Sequence, residues 1–133
     1  MSFLDQFSLK NKNSLIVGGA CLLGSQISDV LAEFGSNIII ASRNTDNGQR
    51  FVKEISKKYP NIEVSFFNLD INDVYSIREM AKKVSAITEN KIDVLVNCGW
   101  SGNKNTFESI SDSDWDYDIN ICLNGVFKTI KHV

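Results

Sequence analysis

This chain has little proline, little histidine, few cysteines and no long apolar run. One proline and one histidine in 133 residues exclude Pro-rich spacer segments and His-rich metal-binding tracts. The histidine, His132, stands in the penultimate position. Three cysteines, Cys21, Cys98 and Cys122, are odd in number, far apart and without Cys-x-x-Cys spacing. That pattern argues against a disulfide framework or a structural zinc site, and reduced thiols point to the cytoplasm. No apolar run approaches the roughly 20 residues that span a bilayer. The start, Met1-Ser2-Phe3-Leu4-Asp5-Gln6-Phe7, lacks a basic segment followed by an apolar one, so no secretory signal is expected. Charge of one sign is not in excess either. A net charge of −2 argues against nucleic acid or an anionic membrane as a partner.

What remains suffices for one globular domain over residues 1–133, with 43% hydrophobic and 23% charged residues. Its organising stretch is Ser14-Leu15-Ile16-Val17-Gly18-Gly19-Ala20-Cys21-Leu22-Leu23-Gly24. Leu15, Ile16 and Val17 suit a strand buried on both faces. Gly18 and Gly19 allow a tight turn, and Gly24 lets a helix start close against the strand or a ligand. Strand, glycine turn and helix N-terminus together present backbone N–H groups to an anion such as pyrophosphate. An ordinary strand–helix corner has the same local pattern.

Apolar spacing places a helix over about Leu23 to Phe34, with Ile27, Val30, Leu31 and Phe34 on one face and Gly35 at its end. A second strand, Asn37 to Ala41, precedes the turn-rich stretch Ser42 to Gln49. A second helix then carries Phe51, Val52, Ile55 and Tyr59 up to Pro60. A third strand, Ile62 to Phe66, is placed near an edge. Asn72 or Asp73 caps a third helix, with Val74, Ile77, Met80, Ala81, Val84 and Ile87 on one face. Asp93 to Asn97 reads as a fourth strand. Ser111 caps a last helix carrying Trp115, Ile119, Cys122, Val126 and Ile130, in which Gly125 is a weak point. Near the N-terminus, Phe3, Leu4, Phe7 and Leu9 are available to pack on a neighbouring surface.

Strand–helix alternation of this kind predicts an α/β, Rossmann-like, doubly wound parallel sheet in strand order 3-2-1-4, with helices on both faces. Ligands of such sheets bind at the carboxyl ends of the strands. The glycine turn, Ser42-Arg43, Asn68 to Asp70 and Asn97 to Trp100 all belong there. Ser42 and Arg43 occupy the place where an acid would hold an adenosine ribose. A guanidinium there pairs with a 2′-phosphate, favouring NADP(H) over NAD(H); a merely solvated arginine is the other reading. Asp70 is a candidate for the adenine amino group or a turn aspartate, and Asn97 for holding the fourth strand end or a turn asparagine.

Val17-Gly18-Gly19-Ala20-Cys21-Leu22-Leu23-Gly24, Asn68-Leu69-Asp70, Leu95-Val96-Asn97-Cys98-Gly99 and Trp115-Asp116…Ile119…Leu123-Asn124-Gly125-Val126-Phe127 occur in this order. From about Lys12 onward the chain resembles the N-terminal, cofactor-binding half of the short-chain dehydrogenases/reductases. The resemblance implies an NAD(P)(H) site formed by Gly18, Gly19, Cys21, Leu22, Leu23, Gly24, Ser42, Arg43, Asp70, Asn97, Cys98 and Gly99. It also implies a parent oxidoreductase that moves hydride between nicotinamide and a carbonyl or hydroxyl carbon. There are departures. Val17 stands for the family's threonine, Cys21 interrupts the glycine frame, Asn97-Cys98-Gly99-Trp100 replaces Asn-Asn-Ala-Gly, and Cys122 aligns with the helix asparagine.

The family's catalytic Tyr-x-x-x-Lys is missing, because Tyr59, Tyr75 and Tyr117 are followed four residues on by Glu63, Glu79 and Ile121. The expectation is therefore a portion truncated before that pair, with no catalytic residues and no metal of its own. A non-catalytic dinucleotide-binding or interaction module is the alternative. The last helix and an unpaired fourth-strand edge are routes to a homo-oligomer. All three cysteines fall near the expected crevice, either as a redox or metal cluster or as small buried apolar replacements.

Overall fold

The computed structural model describes residues 4–100, 102 and 105–133, and Leu4 in its backbone only; the packing expected of Phe3 lies outside the described residues. After a short 3-10 turn at Leu4–Phe7 come β1 (Asn13–Val17), α1 (Leu22–Glu33), β2 (Asn37–Ser42), α2 (Thr45–Lys58) and β3 (Val64–Asn68). They are followed by α3 (Val74–Thr88), β4 (Val94–Asn97), α4 (Asp112–Ile119), a π-helical stretch (Asn120–Gly125) and α5 (Val126–His132). The strands form one parallel sheet in the order β3-β2-β1-β4, the expected order.

Strand side chains alternate between two cores. Leu15, Val17, Ile39 and Ala41 face α3 and the π-helical stretch through Ile77, Met80, Val84 and Ile121. Ile16, Ile38 and Ile40 face α1 and α2 through Ala32, Val52 and Ile55. β1 and β2 are therefore apolar on both faces, and each fully buried Leu or Ile there contributes roughly 1.5–3 kcal/mol. β3 and β4 each pair on one side only among the described residues, and their residues are half-buried apart from the exposed Asn68.

Four sequence expectations need correction, for reasons of packing, capping and strand register. In α1 the buried strip is Gly24, Ser28 and Ala32, while Val30 and Phe34 are exposed. Small side chains let this helix lie close on the sheet, and the larger apolar residues are displaced outward. α2 starts at Thr45, well before Phe51, because the Asn44 side chain caps it by accepting from the Asn47 N–H at 2.9 Å. β3 lies two residues later than expected, since its register pairs Ile38 with Val64 and Ser42 with Asn68. Val74 and Ile87 of α3 are exposed, and Thr88 is buried in their place. Its cap is Asp73, which accepts from the Tyr75 N–H at 2.9 Å.

The last helix is corrected most. Ser111 caps it as expected, accepting from the Asp114 N–H at 3.1 Å, but the buried residues are Ile121, Gly125 and Thr129. Gly125 is the close-contact point: a Cβ on it would come within 2.6 Å of Ile71 Cγ1. The π-helical turn, which inserts one residue per turn relative to an α-helix, rotates Trp115 and Cys122 outward, and both are exposed.

Candidate functional site

The carboxyl ends of β1, β2, β3 and β4 open into one cleft of about 450 Å³. Its walls come from Val17, Gly18, Ala20, Cys21, Leu22 and Leu23 after β1, and from Ala41, Ser42, Arg43 and Asn44 after β2. Leu69 and Ile71 after β3, Cys98, Gly99 and Trp100 after β4, and Ile121 complete them.

Backbone hydrogen bonds carry the sheet ladder past the strands and so hold these loops in register. Gly18 N donates to Ala41 O at 2.7 Å, Cys98 N to Val17 O at 2.9 Å and Leu69 N to Ser42 O at 3.0 Å. Gly18 has φ +78°, and a Cβ there would lie 2.5 Å from Gly99 Cα, so the turn and the β4 end touch backbone to backbone. Gly24 is equally confined, with a Cβ position 2.5 Å from Gly18 O. The Asn68 amide donates to Arg43 O at 3.0 Å and Thr45 Oγ1 at 3.1 Å, fastening the loop that presents Ser42 and Arg43.

The N-terminus of α1 points its polar end at this cleft. Cys21 caps it, its sulfur accepting from Gly24 N–H at 3.3 Å, and Ser25 N donates to Cys21 O at 2.8 Å. Among the described residues no acceptor meets the N–H groups of Leu22 and Leu23. Donors left over at a helix start, together with the helix dipole, attract an anion. The flanking side chains are apolar and open to solvent, Leu22 at 83% and Leu23 at 62% exposure.

Of the residues expected at the site, Gly18, Cys21, Leu22, Leu23, Ser42, Arg43, Cys98 and Gly99 line the cleft. Gly19 and Gly24 lie beneath the turn, where they permit its close packing. Asp70 and Asn97 do not line it. Asp70 Oδ1 accepts from Asn72 N at 3.0 Å and shapes the turn before α3. Asn97 pairs with Val17 in the sheet, and its Oδ1 is buried without a partner. Ser42 Oγ is likewise buried and unpartnered. Sequence reasoning placed Leu69 in a converging loop without giving it a role, missed Ile71 and Ile121, whose apolar side chains carry no chemical signature, and passed over Ala41 and Asn44. Ile121 enters from the π-helical stretch, in the same apolar core as Ile71.

Cys122 is exposed and lies outside the cleft. Nearby, Asn120 donates to Asn72 Oδ1 at 2.9 Å and accepts from the Asn124 amide at 3.3 Å. Burial first, and the neighbouring Cys21 second, push the Cys98 thiol up to about 11. Tyr59 is committed elsewhere, its hydroxyl donating to Asp29 Oδ1 at 3.2 Å between α1 and α2. Among the described residues no three His, Cys, Asp or Glu side chains converge as metal ligands. Nor is any described helix long and apolar enough to cross a membrane.

The cradle under Gly18, the open first-turn donors of α1 and the orphaned Ser42 hydroxyl fit a phosphate-bearing, ribose-bearing ligand. Comparison with known proteins points the same way. The short chain dehydrogenase family model matches residues 12–133. The chain is 32% identical over 127 residues to the uncharacterized oxidoreductase YgcW of Escherichia coli (strain K12), covering 94% of this chain and 46% of that protein. Among solved structures, gox2181 shares the fold at a TM-score of 0.91 and 24% identity, with 99% of this chain and 51% of that one covered. An alcohol dehydrogenase from the archaeon Thermococcus sibiricus, complexed with 5-hydroxy-NADP, matches at a TM-score of 0.82 and 28% identity, covering 91% and 51%. The chain spans about half the length of curated relatives that it matches, in keeping with the expected correspondence to one half of such a protein. With the glycine turn, the strand order and the family match from residue 12 onward in agreement, the chain belongs to the short-chain dehydrogenase/reductase family.

Proposed function

We propose that the cleft binds a nicotinamide dinucleotide, NADP(H) in preference to NAD(H), and that the chain is the cofactor-binding part of a short-chain dehydrogenase/reductase-like oxidoreductase. The observation that carries this reading is the convergence of four strand ends on the unmet N–H groups of α1. The Leu22 and Leu23 amides would hold the pyrophosphate, with Gly18 and Gly24 keeping side chains out of its approach. The unpartnered Ser42 Oγ would bond the adenosine ribose, and the exposed Arg43 guanidinium would pair with a 2′-phosphate. Asn97, Cys98 and Gly99 would bound the nicotinamide side, and Asp70 would act on the adenine side through its turn. The 5-hydroxy-NADP held by the Thermococcus sibiricus enzyme supports the ligand class.

When bound, the nicotinamide supplies or accepts the hydride for a carbonyl or hydroxyl carbon. This chain's own residues bind and orient it. They furnish no proton relay: no tyrosine has a lysine four residues on, and Cys122 cannot match an asparagine's two donors and acceptor. The chain by itself therefore turns over no carbonyl substrate. The same observation favours a second reading, a non-catalytic dinucleotide-binding module. An in-frame or frameshifted Tyr-x-x-x-Lys in the DNA beyond the Val133 codon would decide for the oxidoreductase part. We further assign a cytoplasmic location, on the three free thiols, no nucleic-acid or membrane partner, and self-association through the last helix or the open β4 edge.

Titration calorimetry with NADPH and NADH tests the binding. NADPH should bind more tightly, and Arg43→Asp should reverse the order by removing the phosphate partner and offering a ribose acceptor. Equal affinities in both proteins would remove Arg43 from the site; no heat with either cofactor would remove the site.

A further inference from the structure

The three cysteines divide into a pair and a singleton. Cys21 and Cys98 are 77 residues apart in sequence, yet both border Gly24. Cys21 Sγ lies 3.3 Å from Gly24 N. Cys98 Sγ lies 3.1 Å from where a Cβ on Gly24 would stand. The Cys21 thiol is directed at Cys98 O, 3.9 Å away. Residue 24 has no side chain, so no Cβ takes up the space beside the Cys98 sulfur. They also differ in access: Cys21 is exposed, whereas Cys98 is half-buried with its thiol donating to Val17 O at 3.2 Å.

We propose that Cys21 and Cys98 form an oxidisable dithiol that a hydroperoxide closes into a reversible disulfide across the glycine turn. Access assigns the order. The Cys21 sulfur attacks one peroxide oxygen, the O–O bond breaks, and an alcohol (water, from hydrogen peroxide) departs, leaving a sulfenic acid. The Cys98 sulfur then attacks the Cys21 sulfur. The S–S bond forms, the S–O bond breaks, and the hydroxyl leaves with the Cys98 proton as water. In balance, two thiols and one hydroperoxide give one disulfide, one alcohol and one water. The sulfurs lose two electrons and the peroxide gains them. A dithiol reductant reverses the bond by exchange. Closure draws Cys21 Sγ from the Gly24 N–H and so uncaps α1. Cys122, exposed on the last helix away from the cleft, takes no part. This inference is independent of the dinucleotide reading, since its readout is covalent.

The test uses the full chain, reduced, freed of reductant and treated with equimolar hydrogen peroxide. Free thiols are then alkylated with iodoacetamide and the chain is digested without reduction. The expected result is loss of two of the three thiols, a mass lower by about 2 Da before alkylation, and one linked peptide pair joining Cys21 to Cys98. Cys122 should be alkylated, and dithiothreitol should restore all three thiols. Cys21→Ser, at an exposed position, should lose no thiol pair to peroxide, and Cys98→Ser should stop at a sulfenic acid trapped by dimedone on Cys21. Bridges through Cys122, sulfinic acid on Cys21 beside an unmodified Cys98, or an undiminished thiol-pair loss in Cys21→Ser would each overturn the proposal. Should Cys98→Ser fail to fold, Cys21→Ser and the peptide map decide alone.

Discussion

The first crossover, β1–α1–β2, and the last helix solve the same packing problem and leave different remainders. Each lays a helix on the sheet along a narrow strip that includes a glycine: Gly24, Ser28 and Ala32 in α1, and Ile121, Gly125 and Thr129 in the last helix. Their outer faces diverge. α1 breaks up its exposed apolar residues, Leu22, Leu23, Val30 and Phe34, with Gln26 and with Asp29, which is held by Lys58 at 2.8 Å and by Tyr59. The last helix shows Leu123, Phe127 and Ile130 to solvent at i, i+4, i+7 spacing, Phe127 at 62% exposure, beside exposed Trp115. One apolar strip per helix suffices to dock it on the sheet. A second, uncovered stripe leaves apolar surface in solvent, and what it does there is open to test.

That contrast can be broken or sharpened by substitution. The largest effect belongs to Gly18→Val, which combines a φ of +78° with a Cβ position 2.5 Å from Gly99 Cα. Backbone strain and overpacking sum to roughly 2–6 kcal/mol of lost stability. A urea midpoint equal to that of the unaltered chain would show that the turn relaxes freely.

Gly125→Ala is the counterpart in the last helix. Its φ of −62° suits alanine, so what opposes it is crowding against Ile71, whose Cγ1 and Cδ1 would lie 2.6 and 2.9 Å from the new Cβ and whose backbone O would lie 3.3 Å away, at about 1–3 kcal/mol. Ile71→Ala should make the pair less than additive in a double-mutant cycle. A Gly125→Ala protein more stable by about 1 kcal/mol, as helix propensity alone would give, would mean the helix is not seated on Ile71.

The join between the first crossover and β4 yields a smaller, pH-dependent effect. Asp93 ties β1 to the start of β4, accepting from Asn13 N at 2.9 Å and pairing with Lys12 at 3.0 Å. The Asn13 hydrogen bond first, and Lys12 second, hold its carboxyl below its ordinary 3.8. A depressed folded-state pKa contributes stability above the unfolded value and loses it as pH falls through the folded one. The difference in urea midpoint between the unaltered chain and Asp93→Asn should therefore be full near neutral pH and shrink below about 3.8. A gap independent of pH would assign it to packing.

Phe127→Ser should move stability least, within about 0.5 kcal/mol, as an exposed change does. Its effect should appear in sedimentation instead. If the outer stripe mediates self-association, this variant should sediment as a smaller species than the unaltered chain at equal concentration. Identical profiles would leave the β4 edge as the surface that associates.

Legibility followed burial and chemistry. The runs Leu15-Ile16-Val17 and Ile38-Ile39-Ile40 could be read as strands because both faces are buried, so every position is apolar. Most of the cleft was legible too, since glycine, serine and arginine at strand ends have distinct physical uses. The helix faces were harder. Spacing selects the large apolar residues, yet close contact with a sheet selects small ones, which is why Val30, Phe34 and Ile130 are exposed while Ser28 and Thr129 are buried. Asp70 and Asn97 were read from their loops; an Asx turn holds Asp70 and the sheet register pairs Asn97 with Val17, so both sit behind the cleft's lining and not in it.

By itself, then, the sequence determined the parallel α/β alternation, the glycine turn at a helix start and the lack of a Tyr-x-x-x-Lys pair. All of these depend on residue type and local spacing. Tertiary structure alone decided that Gly125 is a contact point, that Ile121 joins the cleft and that Cys21 and Cys98 both border Gly24. Each depends on which distant backbones approach within a few ångströms, and a linear pattern does not hold that distance.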